Sequence, residues 1–227
     1  MRYPPLSKAN VTFLLDGSSS MQGFRWAEAI KSINAYVEGL RPEDIVTVTM
    51  FKEGRTYRGF NVPEYAHGAE PIETNAVLIP IRDKVTVGHW APIGVLEATP
   101  HGNTPLEDAS YEVLHQVLQT TDTDKNVVII VTDGGENASR RWKRDDVTSL
   151  IKLFESREWE AIYIGADYDG VMAAATSYGA EYGKMMSVDS GSMEATMRGM
   201  SASTVAYASM GTRMNFTDND RKKAKGL

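Results

Sequence analysis

Apolar positions Val11 to Leu15 form a continuous run that stops abruptly at Asp16-Gly17-Ser18-Ser19-Ser20. From about Arg25 to Leu40 the pattern changes: Ala27, Ile30, Ile33, Val37 and Leu40 recur at helical spacing among polar neighbours. A buried strand over Asn10–Asp16 followed by an amphipathic helix accounts for both patterns. Arg41-Pro42 stops that helix, because proline lacks the N–H that the next turn needs. Ile45 to Phe51 is rich in β-branched residues and predicts a second strand. Lys52-Glu53-Gly54 predicts a turn into Arg55–Phe60, which would make a hairpin and one antiparallel edge strand.

Between residues 61 and 102, five prolines (Pro63, Pro71, Pro80, Pro92 and Pro100) interrupt every periodicity. This segment reads as an insertion or decorated loop, in which Ala76–Ile81 and Lys84–Val87 form short patches, a helix end and a strand. Leu106 to Gln119 carries a helical stripe, with Pro105 suited to its first turn. Asn126–Thr132 is the most continuous apolar segment and predicts a central strand buried on both faces; Asp133-Gly134-Gly135-Glu136-Asn137 follows it. Asp145 or Asp146 is placed to cap a helix bearing Val147, Leu150, Ile151 and Phe154. Then come a strand at Glu160–Gly165, an Ala-rich helix at Asp167–Gly179, a strand at Lys184–Val188 and a helix at Ser192–Met210. The basic end, Asn219–Leu227, reads as solvated and mobile. The expected organisation is a lead-in segment (1–9), one domain (10–215, with 61–102 inserted) and a basic tail (216–227). Alternating strands and helices imply a doubly wound α/β fold. Its sheet is mostly parallel, with one antiparallel edge strand and helices on both faces.

Composition narrows the function. The 227 residues are 42% hydrophobic and 24% charged, as in a soluble globular domain. A net charge of −6 argues against a nucleic-acid surface. Without cysteine there is no disulfide, thiolate nucleophile or zinc-thiolate site, which fits a reducing cytoplasm. No apolar run approaches the roughly 20 residues needed to span a bilayer, and MRYPPLSKAN lacks the apolar core expected of a secretory signal. His67, His89 and His101 match no ligand spacing, and the methionines near the C-terminus read as core filling. No P-loop or dinucleotide fingerprint occurs, and Gly17-Ser18-Ser19-Ser20-Met21 lacks the second glycine of a nucleophile elbow. The expectation is a cytoplasmic protein that is not an enzyme and that contacts neither membrane nor nucleic acid.

Candidate chemistry gathers at the carboxyl ends of the strands, where open α/β sheets bind ligands. Asp16 with Ser18 and Ser20 offers one carboxylate and two hydroxyls, a set suited to a hard cation such as Mg²⁺. Taken singly, each element has another reading: Asp16 and the serines as a helix cap, Thr104 as a helix start, Asp133-Gly134-Gly135 as a turn. Taken together, three features resemble the von Willebrand factor A domain and its metal-ion-dependent adhesion site. They are Asp16-x-Ser18-x-Ser20, Thr104 within Gly102-x-Thr-Pro-Leu106, and Thr132-Asp133-Gly134 after a VVIIV strand. The resemblance covers about residues 8–215. It implies Ser18 and Ser20 as direct ligands and Thr104 as a ligand that switches in and out. Asp16 and Asp133 become anionic anchors, directly or through water. It further implies Mg²⁺, with Mn²⁺ or Ca²⁺ as substitutes, and an open position for an Asp or Glu carboxylate of a partner protein. In related domains threonine engagement accompanies displacement of the last helix, here Ser192–Met210. Similar single-domain chains occur in bacteria and phages, where partners include subunits of complexes and AAA+ ATPases. A metal-dependent hydrolase and an assembly component stiffened by its metal are the rival readings. Glu136 and Asn137 lie close enough to tune the site but read as a solvated loop.

Overall fold

In a computed structural model, which describes residues 7–56, 73–120, 125–165, 176, 181–189 and 191–226, the first apolar run forms β1 (Ala9–Asp16). On one side β1 pairs in parallel with β2 (Ile45–Thr56), and on the other with β4 (Lys125–Val131). β3 (Glu73–Thr86) lies antiparallel outside β2, while β5 (Glu160–Gly165) and β6 (Met185–Ser187) extend the parallel side. The six strands stand in the order β3-β2-β1-β4-β5-β6. From β1 the chain winds to β2, and from β4 it winds to β5. The winding direction therefore reverses between β1 and β4, and the carboxyl ends of those two strands form the switch-point crevice.

Helices cover both faces. α1 (Phe24–Glu38) and α4 (Met193–Met210) pack with Val11, Phe13, Leu15, Val127 and Ile129 on one side. α2 (Leu106–Leu118) and α3 (Arg144–Ser156) pack with Leu14, Val128, Ile130 and Tyr163 on the other. Residues of β4 alternate between the two cores, so the expected central strand is buried on both faces. Tyr36 on α1 and Thr204 on α4 share a 2.5 Å hydroxyl–hydroxyl hydrogen bond that fixes the two helices together.

Three local expectations are corrected. Lys52-Glu53-Gly54 is not a turn: β2 continues through it to Thr56, and its hairpin partner is β3, inside the segment read as an insertion. β1 stops beside Phe51, so residues 52–56 pair only with β3 and project as a two-stranded ribbon. Its Lys52-Glu53-Gly54 stretch lacks the apolar alternation of a core strand, which is why it reads as a turn. Pro80 is accommodated because β3 is the edge strand and its pairing is already irregular near Val48 and Thr49. Neither Asp145 nor Asp146 is the N-cap residue of α3, which is Lys143; Asp146 instead accepts from the Lys143 N–H at 2.9 Å. The basic tail folds as α5 (Asp218–Ala224), opened by a Thr217–Asp220 capping box with acids in its first turn and bases in its last. It is docked: Ala224 is fully buried, and Arg221 donates to the carbonyls of Phe216 and Met185 at 2.6 and 3.1 Å. Of the second strand expected at Arg55–Phe60, the first two residues belong to β2 and residues 57–60 lie outside the described residues. So does the expected helix at 167–179, apart from Thr176. Among the described residues no helix is long and apolar enough to cross a membrane.

Candidate metal centre

Parallel register brings the site together. Leu15 lies beside Val131, so Asp16 ends its strand next to Thr132, and Asp133 follows one residue on. Asp16 is fully buried. Its Oδ1 accepts from the Ser18 N–H at 2.8 Å, and its Oδ2 accepts from the Thr132 hydroxyl at 2.7 Å. Ser18 and Ser20 share a 2.9 Å hydroxyl–hydroxyl hydrogen bond, and Ser20 Oγ donates to Asp133 Oδ1 at 2.8 Å. Four of the five expected residues (Asp16, Ser18, Ser20 and Asp133) thus stand in one hydrogen-bonded chain. Gly17 makes the bend possible: a Cβ there would fall 2.6 Å from Met50 Cγ and 3.0 Å from the Phe51 carbonyl oxygen.

Thr104, the fifth, is buried on a neighbouring loop clasped to both of the others. His101 N donates to Gly17 O at 2.7 Å. The Ser19 N–H donates to Gly102 O at 2.9 Å, while the Gly102 N–H donates back to Ser19 Oγ at the same distance. Gly102 has φ +84°, a left-handed conformation that favours glycine. On its other side, Thr104 N donates to Asn137 Oδ1 at 2.8 Å and Thr104 O accepts from Asn137 N at 3.1 Å. Glu136 and Asn137, expected to be solvated, are ties. Glu136 accepts from the backbone of Glu107 at the start of α2 and from Ala138 and Ser139. Buried Asp108 accepts from three successive N–H groups, those of Arg140, Arg141 and Trp142, and so holds the segment leading into α3.

Arg25, which the sequence does not single out, reaches in from the first turn of α1. Its Nη1 lies 2.5 Å from Asp133 Oδ2 and 3.3 Å from Ser20 O. Lys52 Nζ meets His101 Nε2 on the Thr104 side of the rim. Signals for these groups were weak, because they act across about fifty to a hundred residues and leave no local spacing.

Burial pushes the Asp16 carboxyl up to about 6, against the hydrogen bonds from Thr132 and Ser18 that pull it down. A cation nearby would reverse that burden. Among the described residues there is no cluster of three or more His, Cys, Asp or Glu side chains that could hold a metal. A metal at this rim therefore has two carboxylates and several hydroxyls to use. That oxygen-only, lightly charged set fits a hard divalent cation and leaves part of its charge unneutralised.

A doubly wound sheet with this strand order, an antiparallel edge strand and a polar crevice at its switch point has the architecture of the von Willebrand factor A fold. Comparison with solved structures agrees, 191 chains matching in all. A von Willebrand factor type A protein from Catenulispora acidiphila superposes with a TM-score of 0.62 at 16% identity, over 88% of this chain and 43% of that one. Proximal thread matrix protein 1 from the mussel byssus, with a zinc-occupied metal-ion-dependent adhesion site, gives 0.56 at 15% identity over 89% and 46%. Manganese-loaded TRAP protein of Plasmodium vivax gives 0.52 at 15% identity over 83% and 71%. This chain thus spans less than half the length of the first two. At these identities the likeness establishes the fold. No protein-family model matches the sequence, and no curated protein matches it either.

Proposed function

We propose that the chain is a divalent-metal-dependent protein-binding module and not an enzyme. Ser18, Ser20 and Thr104 would hold the ion, with Asp16 and Asp133 as anionic anchors, and residues 10–215 would act as one domain. Bound there, Mg²⁺ (or Mn²⁺ or Ca²⁺) supplies an oxygen-seeking centre that an Asp or Glu side chain of a partner can complete. The observation that supports this most is the unbroken chain Asp16–Ser18–Ser20–Asp133, joining two strand ends 117 residues apart in sequence at the switch point. Metal-loaded neighbours with the same fold add weight. A soluble cytoplasmic protein serving a larger complex, with an AAA+ ATPase among the candidate partners, is compatible with the cysteine-free sequence.

Hydrolysis would need a base poised to take a proton from a metal-bound water. Asp16 is occupied by Thr132 and the Ser18 backbone, and Asp133 by Ser20 and Arg25. The carboxylates at the rim are thus already committed to holding it together. Calorimetric titration of Mg²⁺ and Mn²⁺ is the test. The wild-type chain should bind one ion and then an acidic peptide, and Ser18→Ala/Ser20→Ala should lose both. Metal-dependent turnover of a generic phosphate ester, abolished by the same double substitution, would replace this reading with the hydrolase.

A further inference from the structure

We propose that Arg25 is a built-in competitor for the metal: its guanidinium and a divalent ion claim the same carboxylate, Asp133. The inference rests on the metal-binding reading above. Both oxygens of Asp133 are engaged, Oδ1 by the Ser20 hydroxyl and Oδ2 by Arg25 at 2.5 Å. The two partners differ sharply in exposure: the Asp133 side chain is 1% exposed and that of Arg25 51%. The acid is fixed in place, whereas the guanidinium sits on a long stem half in water and can swing outward.

Its placement argues that α1 gains nothing from it. Arg25 is the second residue of α1, whose first turn contains no acid. Unpaired helical N–H groups make that end positive, so a cation there is disfavoured. What holds Arg25 inward is chiefly Asp133, contributed by a loop 108 residues away, with the Ser20 carbonyl at 3.3 Å as its second partner. An ion held with the help of Ser20 and Asp133 would then share its carboxylate with a guanidinium. Like charges that close repel strongly where burial reduces screening. Either the arginine lets go, or the ion binds against its field. In both cases metal affinity is lower than the oxygen donors alone would give, and this lets the rim discriminate by metal charge and concentration.

A dull alternative exists, namely that the pair is a clip holding the start of α1 to the loop after β4. The two roles separate experimentally. Mg²⁺ and Mn²⁺, each alone, are titrated by calorimetry into the full chain as wild type, Arg25→Gln, Arg25→Met and Arg25→Lys. Circular dichroism checks each fold; because Arg25 is half exposed, all four are expected to fold. Removing the charge should tighten Mn²⁺ binding about tenfold in both the Gln and Met variants, as expected for one close, partly screened like charge. Arg25→Lys, which keeps the charge, should stay near wild type. The melting temperature should also rise more on saturation with Mn²⁺ in the two neutral variants than in wild type. If wild type binds metal while the neutral variants bind equally or more weakly, Arg25 is a clip and the competitor role is overturned with the metal site left standing. If no form binds either ion, the metal reading fails and the competitor role fails with it.

Discussion

At the scale of the residue, Asn137 is the side chain whose removal should be felt at the rim with every proposed ligand left in place. Its carboxamide oxygen accepts from the Thr104 N–H and its own N–H donates to the Thr104 carbonyl. Asn137→Ala keeps the second bond and leaves the first donor, on a buried threonine, without its partner. The expected cost is about 1–2 kcal/mol of stability in urea denaturation. Mn²⁺ affinity should fall as well, because Thr104 loses one of its two bonds to Asn137; affinity unchanged within error would show that Thr104 needs no such support. Asp16, Ser18, Ser20, Thr104 and Asp133 can be picked out as candidates in the sequence because each follows an apolar strand or precedes a helix in a pattern that resembles the adhesion site. Arg25 and Asp108 cannot, and Thr132 and Asn137 stand beside the motif with no hint of their roles, since the importance of all four lies in bonds that only the folded topology creates.

At the scale of the element, the long segment between β3 and α2 shows how an irregular stretch can be held in place. Arg82 near the end of β3 forms an ion pair with Glu97 at 2.6 Å and donates to the Ala91 carbonyl, while Glu97 accepts from the Gly94 N–H at 2.7 Å. Arg82 and that N–H hold the Glu97 carboxyl down at about 2, from an ordinary value of 4.5. The sign follows: a carboxyl whose folded pKa is depressed contributes its contact fully above 4.5 and loses it as pH falls toward 2. A carboxyl-carbon NMR titration should find Glu97 still ionised at pH 3, and Arg82→Ala should return it to the ordinary range. A wild-type midpoint above 4 would disprove the clasp. Strand β4, helix α2 and strand β5 are legible from period and length. β3 is not, because Pro80 and the ribbon beyond the core erase the alternation that marks a strand. α5 is hidden for another reason: its lysines suggest a solvated tail, and only Thr217 and Asp220 at capping-box spacing hint at a helix.

At the scale of the whole molecule, one element touches both the rim and the last long helix. α1 presents Arg25 to Asp133 at its start, and near its end Tyr36 bonds Thr204 of α4 at 2.5 Å. α1 thus carries a tie to the rim and a tie to α4, so release of Arg25 from Asp133 frees the start of the helix whose other end bonds α4. α4 is also restrained from behind. Thr204 faces Met214 as well as Tyr36, and α5 packs against α4 near the site where Ala224 closes the core. Hydrogen exchange along α4 should therefore change when Mn²⁺ and an acidic peptide are added together to the wild-type chain. Thr204→Val keeps the volume and removes the hydroxyl, leaving buried Tyr36 without its partner at a cost of about 1–3 kcal/mol. In that variant, α4 should exchange faster and respond less to the ligands, because the Tyr36–Thr204 hydrogen bond from α1 is lost. Identical exchange in wild-type α4 with and without ligands would mean that the rim binds without informing the rest of the fold.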